Sequence, residues 1–480
     1  MSLSTSSAEP SIPGSWNDTS QVTVGWTGGG SGRGSIDVLW SCCVTIILCC
    51  WVSTFPSVPS LNDKWFHPLV DKFNLACIGF LGPNYLFAIA LGQLSSARRS
   101  VKLFAQLPHP NHDGEWTLVH GFFADMGGFL LADPDYPPFP VNSEQLYYLV
   151  RNGHMDFPSL TKVDIKARSQ TDGLSKVITL WQMFWFSVAE LQRLREGLPM
   201  TTFELTALSF ALTMLITSLC WFFKPTINQP TILHLKHGRS VQSIRSIARN
   251  STHPDLPSTW YRTPLDFISP SRRFRIDVHW SYYAQLTYMV HLPLFGREIK
   301  TRPWDRLPSD AWLVIDRDLL APGFVVVAAS SLAPLAAWSF YFPTEAEKMA
   351  WRACSIYHAA FSIAVCAYYI YVATQAPGGA LPSKVQVVYD IEAVQLTPNG
   401  AFARSKAVIQ ACSDWLRRWR NISPDGDPDM ELDFFAASLP LVGTFLFICC
   451  RLFFYVECFA SIRQQPAGVY KAVNKYVPFL

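Results

Sequence analysis

Three acidic residues fall within or at the edge of long apolar stretches, where a carboxyl group is costly to bury and is therefore informative. They are Asp125, Glu190 and Glu204. A carboxyl group that an apolar pocket keeps neutral can donate its proton to an olefin or an epoxide. The sequence therefore marks these three residues as candidate catalytic acids for proton-initiated chemistry on an apolar substrate.

Four further polar residues lie in apolar stretches and are candidates for substrate binding: His120, Asn84, Arg451 and Tyr455. Asn84 follows a mid-segment proline, and Tyr455 lies one helical turn beyond Arg451. Three of the four have a structural alternative. His120 would then be a packing residue, with Asp125 at an interface, Asn84 would serve packing, and Arg451 would form an ion pair with one of the three acids instead of binding an anion.

The elements that would carry these residues are long apolar segments. We predict an all-α fold, a polytopic transmembrane helical bundle with about seven spans and one re-entrant or interfacial helix. The spans are predicted at 36–54, 73–94, 175–194, 204–223, 323–342, 349–373 and 434–459. Pro83 predicts a kink in the second of them.

The segment 116–132, WTLVHGFFADMGGFLLA, is the predicted re-entrant or interfacial helix. It is apolar, but it is about 17 residues long, at the short end for a span. Seven spans with a cytosolic N-terminus place the basic loops in the cytosol and the C-terminus outside, whereas an eighth span would place those loops on the wrong side.

The segments between the spans divide the chain further. Residues 1–34 are rich in Ser, Thr, Gly and Pro and are predicted to be a disordered tail. Residues 35–223 form an N-terminal membrane half with a cytosolic insertion at 95–174. Residues 224–322 form a cytosolic loop that contains an interfacial aromatic helix at 278–295. Residues 323–480 form the C-terminal membrane half, with a loop at 374–433 and a short tail.

Composition supports a protein partly solvated by lipid. Of the 480 residues, 49% are hydrophobic and only 16% are charged, and there are 17 Trp and 33 Phe. The net charge of +3 argues against nucleic-acid binding. The 12 Cys show no spacing typical of a zinc site or a disulfide framework. The acidic run 425–433 does not match a calcium loop and is predicted to be a solvated loop, so neither a metal nor a cofactor is expected; a magnesium site that bridges a diphosphate is the alternative there. The expected partners are the bilayer of the endoplasmic reticulum or plasma membrane and a lipophilic small molecule.

Several motifs together resemble a large family of fungal polytopic membrane proteins, most of them without assigned function. They are SIDVLWSC (35–42), EWTLVHGFFADMGGF (115–129), FPVNSEQLYYLV (139–150), DGLSKVITLWQMFWF (172–186), LPMTTFELTALSF (198–210), FKP (223–225) and the tail from Arg451 to Leu480. The resemblance implies a multi-pass membrane fold and carries no catalytic motif. A weak analogy connects such proteins to membrane-bound terpene cyclases.

Two functions are compatible with these features. The first is a membrane-embedded enzyme that acts on an isoprenoid-like substrate, such as a terpene cyclase initiated by carboxylic-acid protonation, with aromatic rings stabilising carbocations. The second is a small-molecule transporter or a receptor-like binding protein, favoured by prolines within the spans, although the halves show no internal repeat. A scaffold that binds partners through its loops is a third alternative.

Overall fold

The structure is a computed structural model, and it describes residues 22–28, 33–107, 115–169, 173–251, 256, 259–268, 275–375, 427 and 434–471. The α-helices are α1 (Ser35–Val52), α2 (His67–Leu81), α3 (Pro83–Phe104), α4 (Leu118–Asp125), α5 (Ser143–Arg151), α6 (Lys162–Arg168), α7 (Gly173–Arg195), α8 (Thr202–Cys220), α9 (Val241–Ser251), α10 (Arg275–Met289), α11 (Arg317–Leu332), α12 (Glu345–Gln375) and α13 (Phe434–Ala460). Short 3₁₀ helices lie at Lys236–Gly238, Asp266–Ile268, Ala333–Ser339, Ser461–Arg463 and Ala467–Tyr470.

Strands are few and short. They are β1 (Thr23–Val24), β2 (Phe129–Ala132), β3 (Phe139–Pro140), β4 (Thr231–His234) and β5 (Gln465–Pro466). β1 pairs antiparallel with β5, while β2 pairs antiparallel with β3 and parallel with β4. The fold is therefore mostly helical, as predicted, with two small sheets that the sequence did not reveal.

Within the described residues, five helical segments are long and apolar enough to cross a membrane. They are Ser35–Val52, Thr202–Cys220, Arg317–Ser339, Glu345–Tyr371 and Ser438–Arg463. The prediction of about seven spans is thus too high by this criterion. The two predicted spans that are absent from the five are 73–94 and 175–194.

The long helices form a bundle with two distinct ends. We call the end that carries the paired strands β1 and β5 the terminal end. There Arg33, just before α1, forms a salt bridge with Glu204 at the start of α8. We call the opposite end the domain end, because a second hydrophobic core lies there. At this end the segment after α1 contacts the turn after α4, where the Val58 amide donates to the Met126 carbonyl at 2.8 Å. α7 connects the two ends, because Lys176 donates to the Lys224 carbonyl and Arg193 donates to the Lys471 carbonyl.

The predicted kinked span at 73–94 is instead a helical hairpin made of α2 and α3. Both of its arms reach the domain end: Lys72 lies over the Trp51 ring, where α1 ends, and the Gln93 amide donates to the Ser309 carbonyl. The chain reverses at Gly82, and Pro83 occupies the first turn of α3, where proline costs no hydrogen bond. The tip of this hairpin reaches the middle of the bundle, where Phe80 stacks on Tyr455 at 4.3 Å.

The segment 116–132 does not form one helix. α4 ends at Asp125, and after the turn at Gly127–Gly128 the chain enters β2, which pairs with β4 about 100 residues later. Both elements belong to a second hydrophobic core at the domain end, which includes Phe123, Phe129, Leu146 and Ile244. The apolar character of 116–132 therefore reflects burial in a folded domain, and the expectation of a re-entrant or interfacial helix here is wrong.

Candidate functional site

An apolar cleft opens between α3, α11 and α12, within the group of long helices. It contains about 660 Å³ of atom-free space, a figure that includes solvent at its open mouth. Its walls are formed by Asn84, Tyr85, Phe87, Ala88, Leu91, Trp312, Ile315, Leu320, Gly323, Phe324, Val327, Ser362, Val365, Cys366, Tyr369, Ile370 and Phe447. No charged side chain is among these described lining residues.

The walls of the cleft are held by specific contacts. Gly323 lets α11 approach α3 closely, because a Cβ there would lie 2.8 Å from a methyl group of Leu91. The Tyr369 hydroxyl accepts a 3.0 Å hydrogen bond from the Ile315 amide and so fixes the segment before α11 against α12. The Tyr85 ring packs against Phe447 with 5.4 Å between centroids. The cleft is therefore a formed feature with an aromatic lining.

The cleft becomes polar at its deep end, the end at the tip of the α2–α3 hairpin. The Asn84 amide donates to the Ser331 hydroxyl at 2.9 Å and accepts from the Ser330 hydroxyl. Nδ1 of His358 lies 3.5 Å from the Ser331 carbonyl, and the imidazole stacks on Phe447 at 4.6 Å. Asn84, predicted from the sequence to bind substrate, is thus the only one of the four predicted binding residues that lines the cleft.

Arg451 lies beyond this deep end, one turn after Phe447. The residue is only 5% exposed, and its Nε has no hydrogen-bond partner among the described residues. Its guanidinium lies over the Tyr455 ring at 5.2 Å, and the Tyr455 hydroxyl donates to the Phe80 carbonyl at 2.6 Å. Within the described part of the chain no carboxylate forms a salt bridge with Arg451, so the expected structural ion pair with Asp125, Glu190 or Glu204 is not present.

Two of the three predicted catalytic acids form an ion cluster at the terminal end of the bundle. Glu204 pairs with Arg33, and its other oxygen accepts from the Thr201 amide at 2.8 Å, which caps α8. Glu190 lies 3.8 Å from both Arg33 and Arg193. Burial opposes the charged form of Arg33, but the two carboxylates prevail and raise its pKa above its ordinary value. This geometry is typical of a structural ion pair.

Asp125 and His120 lie in the domain core instead. Burial raises the pKa of Asp125, although one carboxylate oxygen accepts from the Ser143 amide at 3.0 Å at the start of α5; the other oxygen makes no hydrogen bond within the described structure. Burial lowers the pKa of His120, whose Nδ1 accepts from the Thr117 amide and whose Nε2 donates to the Leu160 carbonyl. Neither residue lines the cleft.

A buried lysine is the main feature that the sequence did not indicate. Lys224 follows α8 in the FKP motif, where it reads as an ordinary flanking charge, yet it is 1% exposed. Its ammonium donates to the Gln93 side-chain oxygen at 2.9 Å and lies over the Trp221 ring. Burial lowers its pKa to about 7, and the neighbouring charge of Lys176 acts in the same direction. Sequence alone offers no signal for this burial.

Comparison with known proteins gives a family match over part of the chain. Among the described residues no group of three or more His, Cys, Asp or Glu side chains is arranged to hold a metal ion. No curated protein and no solved structure matches the chain. Residues 12–248, which include the α2–α3 hairpin and most of the domain core, are similar to a family of unknown function (DUF8562).

Proposed function

We propose that this chain is a multi-pass membrane protein that binds a lipophilic small molecule, such as an isoprenoid, in the aromatic cleft between α3, α11 and α12. The observation that carries the proposal is the cleft itself, which is apolar, aromatic and bounded on two sides by helices long enough to cross a bilayer. Apolar sites with a few convergent polar groups are typical of small-molecule binding.

The strand pairings support a definite membrane arrangement. β2 and β4 must lie on one side of the bilayer because they pair, so α7 must cross whenever α8 does. β1 and β5 must also share a side, which requires an even number of crossings in total. Six crossings, by α7 and the five long apolar segments, satisfy both conditions. The α2–α3 hairpin then enters and leaves from the domain end.

This arrangement changes one expectation about topology. Arg98, Arg99 and Lys102 lie at the domain end, which the positive-inside rule places in the cytosol. The N-terminal strand then lies with the C-terminal one on the opposite side. The sequence-based prediction instead puts the N-terminus in the cytosol and the C-terminus on the other side of the membrane.

The lining of the cleft favours receptor-like binding over acid-initiated catalysis. An acid-initiated enzyme needs a carboxyl group against its substrate, and the described lining residues include none. The lining residues that carry polar groups include Asn84, Tyr85, Ser362 and Tyr369. These orient a ligand and supply no proton of suitable acidity.

A matched pair of substitutions on α11 tests the proposal. Val327 lines the cleft, whereas Val325, two residues earlier, is 63% exposed on the outer face. We expect Val327→Trp to fill the cleft and abolish photolabelling of the purified protein by a diazirine-bearing C15 prenyl alcohol. Val325→Trp should leave labelling and competition by unlabelled alcohol unchanged. Equal labelling of both variants would overturn the assignment of the cleft.

The second candidate is a membrane-embedded cyclase, and Asp125 is the observation that favours it. Its buried carboxyl has a raised pKa and one oxygen without a hydrogen bond, as a proton donor would require. The fungal resemblance and the terpene-cyclase analogy belong to this candidate. Its test is metabolite profiling of a yeast host fed prenylated and epoxidised precursors. A cyclised product should appear with the wild type and be lost in Asp125→Asn, and a product that Asp125→Asn retains would exclude Asp125 as the acid.

A further inference from the structure

Three helices that contribute lining residues to the cleft, α11, α12 and α13, each place a polar residue one turn beyond the deep end of the cleft. On α11, Ser331 lies four residues after the lining residue Val327. On α12, His358 lies four residues before Ser362, and on α13, Arg451 lies four residues after Phe447. Residues four apart share a face of a helix. These side chains, together with Asn84 from the hairpin tip, therefore form one polar pole next to the cleft.

Arg451 is the charged member of this pole, and its depth is unusual. It lies at the middle of the apolar segment Ser438–Arg463, and the middle of a hydrocarbon core about 30 Å thick is on the order of 15 Å from either face. An arginine side chain is too short to reach water from that depth, so snorkelling does not relieve its desolvation. A charge in this position needs a compensating anion.

The residues that the structure describes supply no such anion next to Arg451. Arg451 has no carboxylate partner in the described residues, and its Nε is buried without an acceptor. Its guanidinium does contact the Tyr455 hydroxyl, which donates to the Phe80 carbonyl, but that hydroxyl is neutral and does not balance the charge. An uncompensated buried cation is strongly unfavourable. A bound anion would remove this cost and would occupy guanidinium donors that are suited to a planar, two-oxygen acceptor.

The number of charges identifies the class of anion. One guanidinium balances one negative charge, and the other polar groups of the pole, from Asn84, Ser330, Ser331 and the buried imidazole of His358, are neutral. A diphosphate would bring further negative charge, and the described residues hold no cluster of acidic groups for a metal ion that could offset it. A carboxylate carries one charge and matches the planar guanidinium.

We infer that the ligand of the cleft is a lipophilic carboxylic acid whose chain lies along the aromatic walls and whose carboxylate is compensated by Arg451. This inference rests on the proposed binding function and adds the head group. Phe447 forms the deep wall of the cleft and stacks on His358, so its ring must turn aside for the head group to reach the guanidinium.

The test compares three C15 prenyl ligands that differ only in the head group: a carboxylic acid, an alcohol and a monophosphate. Each competes with the photolabel for wild type, Arg451→Met and Arg451→Lys in detergent micelles. We expect wild type to prefer the acid over the alcohol by about 10- to 100-fold. Arg451→Met should lose that preference and keep its affinity for the alcohol, whereas Arg451→Lys should retain most of the preference.

The outcomes separate the two proposals. If no ligand competes in wild type, the binding function itself fails. If acid and alcohol compete equally in wild type, the cleft stands and the anionic pole is overturned, even if Arg451→Met cannot be purified. A tighter monophosphate would overturn the assignment to a carboxylate, and an acid preference that survives in Arg451→Met would exclude Arg451 as its source.

Discussion

Lys224→Met should make the protein more stable at neutral pH, and the gain should disappear in alkali. The lysine amine is buried where the bundle meets the domain core, and within the described structure no carboxylate pairs with it. Burial lowers its pKa from the ordinary 10.5 to about 7. Its Gln93 acceptor keeps a second donor, the Trp221 indole at 3.0 Å, after the substitution.

The sign and size follow from proton linkage. Between pH 7 and 10.5 the unfolded chain holds a proton on Lys224 that the folded protein lacks, so the free energy of unfolding falls by about 1.4 kcal/mol for each pH unit of acidification. Below pH 7 Lys224 is protonated in both the folded and the unfolded state, so the free energy of unfolding no longer changes with pH through this group. Relative to Lys224→Met, wild type should therefore lose on the order of 2–3 kcal/mol between pH 9.5 and pH 7.5.

The assay is denaturant unfolding in detergent micelles, followed by tryptophan fluorescence at pH 7.5, 8.5 and 9.5. Lys300→Met is the control, because the Lys300 side chain is 79% exposed. Wild type and this control should show the same pH dependence, and Lys224→Met should depart from both as the pH falls. A difference between wild type and Lys224→Met that stays constant with pH, or a less stable Lys224→Met at pH 7.5, would refute the reasoning.

Three further predictions concern topology and packing. Tags placed before residue 22 and after residue 471 should both resist protease added to the cytosolic side of sealed vesicles; cleavage of only one would contradict the even number of crossings. Glu204→Gln leaves the half-buried Arg33 and the buried Arg193 with one carboxylate and should cost about 3–5 kcal/mol in thermal unfolding, whereas Glu345→Gln, 83% exposed, should have little effect. Gly121→Val should cost about 1–3 kcal/mol by the same measurement, because its Cβ would lie 3.0 Å from the α3 backbone, and an unchanged midpoint would rule out that close packing.

Local sequence signals predicted a helix well where residues close together in the sequence determine its ends. The prediction of a span at 204–223 corresponds to α8, whose capping box of Thr201 and Glu204 begins the helix. Pro83 shows the limit of such signals. A proline inside an apolar run marks either a kink or the first turn of a new helix, and only the contacts of Phe80 and Gln93 with distant residues distinguish the two.

The candidate site was predicted less completely, for the same reason. Asn84 and Arg451 were identified because polar groups inside apolar helices are costly and so stand out. Which of them share a site depends on how helices far apart in sequence pack, and the sequence does not encode that in any local pattern. The catalytic roles of Asp125, Glu190 and Glu204 stay predictions, since the ion cluster around Glu204 could not be read without knowing that Arg33 lies beside it.

The pairing of β1 with β5 also fixes the order in which the protein can be completed during synthesis. Val24 emerges from the ribosome about 440 residues before its partner Gln465, which at 5–20 residues per second is a delay of roughly 20–90 s. During that time Arg33 and Glu204 can already meet, but the edge of β1 stays unpaired. Emergence of β5 is therefore the event that pairs the edge of β1, and a nascent chain truncated within α13 would keep that edge available to chaperones or to a second copy.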